Sequence, residues 1–379
     1  MASTALPPTS IESIADKVYA GERIDAADAT YLFNHPSLID LAALADARRV
    51  WALSGRGAGT PVIETPSGPV DRTRTVSYLI GRILNYTNVC WVRCRFCAFY
   101  RVPGHNEGYT LTDEEILEKV GDTVAQGGTE ILFQGGLNPK LKIDYYERVF
   151  SLIKSKYPDV ILHALSPAEV IYVAHISKLT LEQTLERLKA VGHHSIPGAG
   201  GEILVDRVRK IIAPYKDTTD EWLDCMRTAS RLGMRSTASM MFGHVETQED
   251  RVEHLGRIRD LQDECQPFRA FVTWSFQPEE TNLPIPRKAS SFDYLRTLAV
   301  SRIFLDNFDN IQLSILTQGP KIAQLGLGYG ANDFGSTMIE ENVVSAAGNK
   351  FILNAAEFSR LIEEAGFEAR QRNTRYEYL

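Results

Sequence analysis

Three of the five cysteines in this 379-residue chain fall within eight positions, as Cys90-Trp-Val-Arg-Cys94-Arg-Phe-Cys97. That spacing constrains the chain more than any other feature, because thiols so close in sequence are held in one small volume. A closed zinc site takes four ligands, usually as two separated short-spaced pairs, and no second pair follows downstream. A four-iron cluster also normally takes four thiolates, so three would leave one iron open to a chelating small molecule. The residues favour the cluster, with zinc or a redox dithiol as the alternatives. Cys225 and Cys265 read differently, one on an apolar helical face and one at the end of a polar helix.

A hydrophobic content of 44% allows a sizeable core, and the length suits a single large α/β barrel with additions. A net charge of -7 argues against nucleic acid or an anionic membrane as the main partner, since both require a basic field. No apolar run approaches the roughly 18 residues of a membrane span. Met1 to Ser10 lacks the basic start and apolar centre of a secretion signal, so a cytoplasmic location is expected. A reducing compartment would also suit an oxygen-sensitive cluster and an odd number of cysteines.

Along the chain, residues 1–72 read as a mobile tip followed by helices over 10–21, 25–33 and 36–54, closed by a Gly/Pro-rich breaker at 55–69. Residues 73–85 alternate as a strand that delivers the cysteine loop. Helical and short apolar strand signals then alternate to about residue 335, and 336–379 reads as a C-terminal segment with a helix at 355–365. About eight βα units predict a parallel sheet closed as a TIM-type (β/α)8 barrel with an N-terminal helical extension. Barrel chemistry lies at the C-terminal ends of strands.

Those ends supply the candidates. Gly135 and Gly136 carry no β-carbon and let backbone approach a ligand. Ser166 is an N-cap, with Pro167 at the first helical position and Glu169 closing a capping box. His163, just before it, can hydrogen-bond substrate or accept a proton. Glu202 follows a run of glycines and can meet a ribose hydroxyl or an ammonium. His244 and Glu246 follow the strand ending at Met241 and are expected to face the pocket. Trp274 and Phe276 can stack on a planar substrate, with core packing the better reading of Trp274. The proton acceptors in view are His163, Glu169, His244 and Glu246.

Taken in order, NYTNVC with CRFCAFYR, QGGL, HALSP, SIPGAGGEIL, MMFGHVET and FVTWSFQPEETNL span Asn85 to Leu283. This series resembles the radical S-adenosylmethionine (SAM) superfamily, and within it the family of cyclic dehypoxanthine futalosine synthases of menaquinone biosynthesis. Aminofutalosine synthase and FO synthase are similar alternatives. The resemblance implies a 4Fe-4S cluster on Cys90, Cys94 and Cys97 with SAM on the open iron. It places Phe96, Gly135, Gly136, Ser166 and Glu202 around SAM, and makes His163, His244 and Glu246 the catalytic candidates. It further implies dehypoxanthine futalosine as substrate, cyclised through hydrogen abstraction from the ribose by a 5′-deoxyadenosyl radical and radical addition to the benzoate ring. A reducing partner such as flavodoxin or ferredoxin would supply the electron.

Overall fold

The computed structural model describes residues 9–34, 37–348 and 351–379. Most of the N-terminal tip, and Pro36 where the third helix is expected to open, lie outside the described residues. The chain begins with helices α1 (Ile11–Tyr19), α2 (Ala26–Asn34) and α3 (Leu38–Leu53). Ser10 caps α1 and Ser37 caps α3, each hydroxyl accepting a first-turn backbone N–H. The stretch expected to be a plain breaker folds instead into a hairpin, β1 (Val62–Thr65) and β2 (Gly68–Asp71). Its turn needs only Pro66 and Ser67 before Gly68, whose φ of 106° lies outside the usual range of other residues.

The barrel follows as β3 (Thr75–Leu79), β4 (Gly81–Leu84), α4 (Asp113–Ala125), β5 (Glu130–Phe133), α5 (Ile143–Lys156), β6 (Ile161–Ala164), α6 (Pro167–Ser177), α7 (Leu181–Ala190), β7 (His193–Ile196), α8 (Asp206–Ile212), α9 (Thr219–Arg231), β8 (Arg235–Phe242), α10 (Gln248–Cys265), β9 (Phe268–Ser275), α11 (Ser291–Phe304), β10 (Asn310–Gln312), α12 (Ile315–Gln318), α13 (Pro320–Gly326) and β11 (Asp333–Ser336). After it come α14 (Ala355–Glu364) and β12 (Glu368–Gln371).

One parallel sheet runs β12-β3-β11-β10-β9-β8-β7-β6-β5-β4. Only Ile80 separates β3, next to β12 at one end of that order, from β4 at the other, so this continuous stretch of chain curls the sheet shut on itself. Thr337 N donates to Leu79 O (2.9 Å) and Ile339 N to Gly81 O (3.0 Å), carrying the seam from β3 up along β4. Gly81 sits where the strand crosses from β11 to β5, and a β-carbon there would lie 3.1 Å from Ser336 Oγ and 3.3 Å from Glu130 O. The expected TIM-type α/β architecture is therefore present, its first strand split in two.

The alternation within strands sorts side chains between helices and barrel interior. Ile131 and Phe133 of β5, Leu162 and Ala164 of β6, and Ala238 and Met240 of β8 join the apolar layer beneath the helices. Glu130, Leu132, His163, Thr237, Ser239 and Gln312 face inward. So many polar groups on the inner face suit a ligand chamber better than a packed core. The hydroxyl-then-carboxylate spacing that marks Ser166/Glu169 recurs in the sequence at Thr112/Glu115 and Thr247/Asp250, and all three capping boxes form. Helix α3 packs along α11, which ties the N-terminal helices to the barrel wall.

The C-terminal segment does more than pack on the barrel. Strand β12 joins the sheet beside β3, and Arg372, Thr374 and Tyr376 beyond it reach the interior. The sequence EARQ gives no alternation from which to expect a strand; β12 forms because β3 offers an open edge below β5. Among the described residues, no helix is long and apolar enough to cross a membrane.

Candidate active site

A cavity of about 380 Å³ runs through the barrel from the cysteine loop to the C-terminal tail. Cys90, Cys94 and Cys97 all line it, at the end of the chain segment that leaves β4. Backbone bonds fix the loop: Cys90 N donates to Arg101 O (2.8 Å), Cys97 N to Cys94 O (3.2 Å) and Arg95 N to Ile212 O (2.8 Å). Burial pushes the Cys94 and Cys97 thiols up; Cys97 and Cys90 raise Cys94 further and Cys90 raises Cys97, so the three share one electrostatic environment. Lys216 and the backbone N–H groups of Phe99 and Tyr100 oppose that rise and would favour thiolates. Among the described residues, no three thiol, imidazole or carboxylate groups converge on a single metal ion.

The glycine pair stands directly against the loop. A β-carbon on Gly136 would overlap the Val89 carbonyl and lie 2.9 Å from Cys90 Cβ, and one on Gly135 would lie 2.8 Å from the Tyr86 ring. Glu169 secures this turn from behind. Its Oε1 accepts Gly135 N (3.0 Å) and Tyr86 OH (3.0 Å), and its Oε2 accepts Ser166 N (2.8 Å) and Ser166 Oγ (2.7 Å). Burial raises the Glu169 pKa while these four donors pull it back. Both carboxylate oxygens of Glu169, one of the proton acceptors considered from sequence, are occupied, and the residue has no place in the cavity lining.

Glu202 reaches the cavity as expected, held in the left-handed region at φ 41°. Its Oε1 pairs with Lys216 Nζ at 2.9 Å, both side chains being less than a tenth exposed. Burial lowers the Lys216 pKa, but Glu202 and the Cys94 thiol outweigh it and hold the ammonium above its ordinary value. The same Nζ lies 5.5 Å from the centre of the Phe96 ring, a cation–π contact. Lys216, unnoticed in the sequence, thus joins the cysteine loop, Phe96 and Glu202. No spacing marks it, and it lies in a loop more than a hundred residues from the cysteines.

His163 is buried in the cavity wall, with Nδ1 2.7 Å from Ser195 Oγ. Burial, with His193 and nearby arginines, lowers its pKa to about 3, so it is neutral near pH 7 and a poor proton acceptor. His244 and Glu246 do not line the cavity, contrary to expectation. Glu246 accepts the N–H groups of Gly243 (2.7 Å) and His244 (2.9 Å) and pairs with Arg251 of α10 at 2.9 Å. His244 Nε2 lies 3.1 Å from Met241 O. Strand β8 carries on to Phe242, and the following turn folds both side chains away behind the wall as a brace between loop and helix. Burial raises the Glu246 pKa, but His244 and Arg251 overcome it and bring it to about 2. Trp274 faces the cavity, while Phe276 is in the core against His244.

The far end of the cavity was not legible in the sequence. Arg372 pairs with Asp333 in a buried two-pronged contact (2.5 and 2.9 Å) and closes the barrel beside Glu130. Burial raises the Glu130 pKa, opposed by Arg372. Asn85 Oδ1 and Tyr376 OH are buried along the lining residues without a hydrogen-bond partner among the described residues.

A closed parallel barrel with a three-cysteine loop at its mouth defines a radical SAM enzyme. The profile described as the Radical SAM superfamily matches residues 84–258, and one described as the CofH/MqnC C-terminal region matches residues 265–379. More particularly, the chain belongs to the family of the cyclic dehypoxanthine futalosine synthases. It is 43% identical over 370 residues to the protein of that name from Halalkalibacterium halodurans, covering 98% of this chain and 95% of that one. It is also 43% identical to the one from Streptomyces coelicolor, covering 97% and 89%. A 5-amino-6-(D-ribitylamino)uracil–L-tyrosine 4-hydroxyphenyl transferase from Methanococcoides burtonii is 40% identical over 79% of this chain and 86% of that one. The solved structure of methylornithine synthase shares the fold, with a TM-score of 0.72 at 17% identity, covering 94% of this chain and 97% of that one. The enzyme uses a 4Fe-4S cluster and SAM.

Proposed function

We propose that the protein is a radical SAM cyclase that converts dehypoxanthine futalosine to its cyclic form. The observation that carries this reading is full-length similarity to synthases of that name, joined to a chamber that opens on the cysteine loop and continues past it to a polar far end. Cys90, Cys94 and Cys97 would hold the cluster, with Gly135, Gly136, Phe96, Ser166, Glu202 and Lys216 around SAM. When bound, these groups supply one electron and a species that abstracts hydrogen from the substrate ribose.

This chain's residues then hold the ribose beside the glycine pair and the ring deeper in the barrel, in near-attack geometry and away from water. His163, neutral, offers Nε2 as a hydrogen-bond partner to the substrate. Ring closure needs a group to accept a proton as aromaticity returns. Glu130 lies on the cavity wall with its carboxyl pKa raised by burial, which suits that task better than His163.

The test is a substrate panel with reconstituted, anaerobic, dithionite-reduced protein. Dehypoxanthine futalosine should give 5′-deoxyadenosine and a product lighter by two hydrogens. The transferase relatives support a second reading. Turnover only with 5-amino-6-(D-ribitylamino)uracil and tyrosine would replace the first reading by that one.

A further inference from the structure

Beyond β12 the backbone turns back on itself across the far end of the barrel. Arg372 bridges to Tyr378 as an antiparallel pair, Asn373 N donates to Glu377 O (3.0 Å), and Leu379 N donates to Gln371 O (3.0 Å). Asn373 Oδ1 accepts the N–H groups of Arg375 (2.8 Å) and Glu377 (3.2 Å), so one side chain holds the turn. Side chains alternate along it. Thr374 and Tyr376 line the cavity, while Arg375 and Glu377 are exposed.

Tyr376 sits there at two costs that the free protein does not recover. Its backbone lies in the left-handed region at φ 64°, a strained conformation for a residue with a β-carbon. Its hydroxyl is buried without a hydrogen-bond partner among the described residues, and an unpaired buried polar group is destabilising. Asn85, Thr337 and Thr374 also bring unpartnered oxygens to the lining, but none of the three has a positive φ. Packing does not call for the hydroxyl. The ring lies against the Arg372 guanidinium, 3.8 Å from Cζ to its centre, and a phenylalanine ring would make the same contact. Arg372 is fixed in turn by Asp333, which also accepts Ser77 Oγ (2.6 Å) and Gly335 N (2.9 Å). The ring is therefore clamped before any ligand arrives, and its hydroxyl is a preorganised donor. Burial raises the phenol pKa, and Asp333 and Glu130 outdo the opposing Arg372, so the proton stays on the oxygen.

We propose that Tyr376 is a substrate-binding residue: its phenol donates a hydrogen bond to an oxygen on the aromatic end of the substrate and fixes the depth and rotation of the ring in the barrel. A ligand oxygen at that point satisfies the one donor the fold leaves open, and the strained turn is what keeps the donor aimed at it. The Tyr376 phenol feels the charge of Glu130, so a ring held by Tyr376 is presented to the group proposed above to accept its proton. The benzoate carboxylate and an uncharged oxygen on the same end both offer the lone pair required. This inference deepens the cyclase reading and rests on it.

Tyr376→Phe removes the hydroxyl alone. Calorimetry on oxidised, cluster-loaded protein with SAM measures dehypoxanthine futalosine binding without turnover, and the variant should bind it about tenfold more weakly, with SAM affinity and iron content unchanged. Because the hydroxyl has no partner in the free protein, Tm should stay level or rise. In turnover, the ratio of 5′-deoxyadenosine to cyclic product should climb, since a misplaced ring leaves hydrogen abstraction unproductive. Arg375→Ala, on the outer edge of the same turn, is the control and should match the wild type in every measurement. An analogue lacking the carboxylate locates the oxygen: equal affinity for wild type and Tyr376→Phe assigns the bond to the carboxylate, and an undiminished tenfold gap assigns it to an uncharged oxygen. Wild-type affinity for dehypoxanthine futalosine in Tyr376→Phe, or a lowered Tm, would overturn the assignment. A wild-type protein that does not bind dehypoxanthine futalosine would sink the functional reading, and this inference with it.

Discussion

Replacing Glu169 by Gln probes the site through a group that never touches the ligand. Each carboxylate oxygen faces one backbone N–H that cannot turn away, Gly135 N at 3.0 Å and Ser166 N at 2.8 Å. An amide in place of the carboxylate therefore sets its NH2 against an N–H whichever way it is rotated. The hydroxyls of Tyr86 and Ser166 can reorient, but one buried backbone donor is left without an acceptor. Losing that charge-assisted bond and stranding its donor costs about 2–4 kcal/mol. With an unfolding entropy of about 2.1 cal/mol/K per residue, a chain of this size has about 0.8 kcal/mol/K, so Tm should fall by roughly 2–5 °C. The relief available is movement of the Gly135 turn, and each 1.4 kcal/mol expressed there weakens SAM binding about tenfold. Differential scanning calorimetry and SAM titration measure the two effects. Thr180→Ala is the control: it removes the N-cap of α7, costs about 1 kcal/mol and should leave SAM affinity alone. Wild-type Tm and SAM affinity in Glu169→Gln, or an equal loss of affinity in Thr180→Ala, would refute the positioning role.

Cys94→Ser should abolish the cluster's visible absorbance and the production of 5′-deoxyadenosine while leaving the far-ultraviolet dichroism of the barrel intact; retained absorbance would contradict the assignment. Gly136→Ala places a methyl group on the Val89 carbonyl and Cys90, and iron content after reconstitution should drop severalfold. Lys216→Met strands the buried Glu202 carboxylate and should cost about 3–5 kcal/mol, a loss that adding Glu202→Gln partly restores; chemical denaturation of the single and double variants checks it. Burial lowers the pKa values of His163, His193 and His254 to about 3, 4 and 3. The unfolded chain therefore binds more protons than the folded one below about pH 6.5, so stability is full above that pH and falls on acidification. By pH 5 the loss is about 2 kcal/mol per histidine, and equal urea midpoints at pH 7 and pH 5 would contradict it.

The sequence by itself determined the cysteine loop, the alternation that makes a parallel barrel, and the helix caps at Thr112, Ser166 and Thr247. These rest on local spacing and on the hydrogen-bonding reach of residues three positions apart, which the chain carries before it folds. It could not tell inward from outward at a strand end. His244 and Glu246 sit beside a strand much as His163 does, yet one further residue of β8 turns them behind the wall. Only the tertiary structure brought Lys216 to Glu202 and Cys94, gave Glu169 its hold on Gly135, and threaded Arg372 and Tyr376 into the far end of the cavity. Those contacts join segments tens to hundreds of residues apart, and their partners are chosen by how the sheet closes, a geometry that no short stretch of chain encodes.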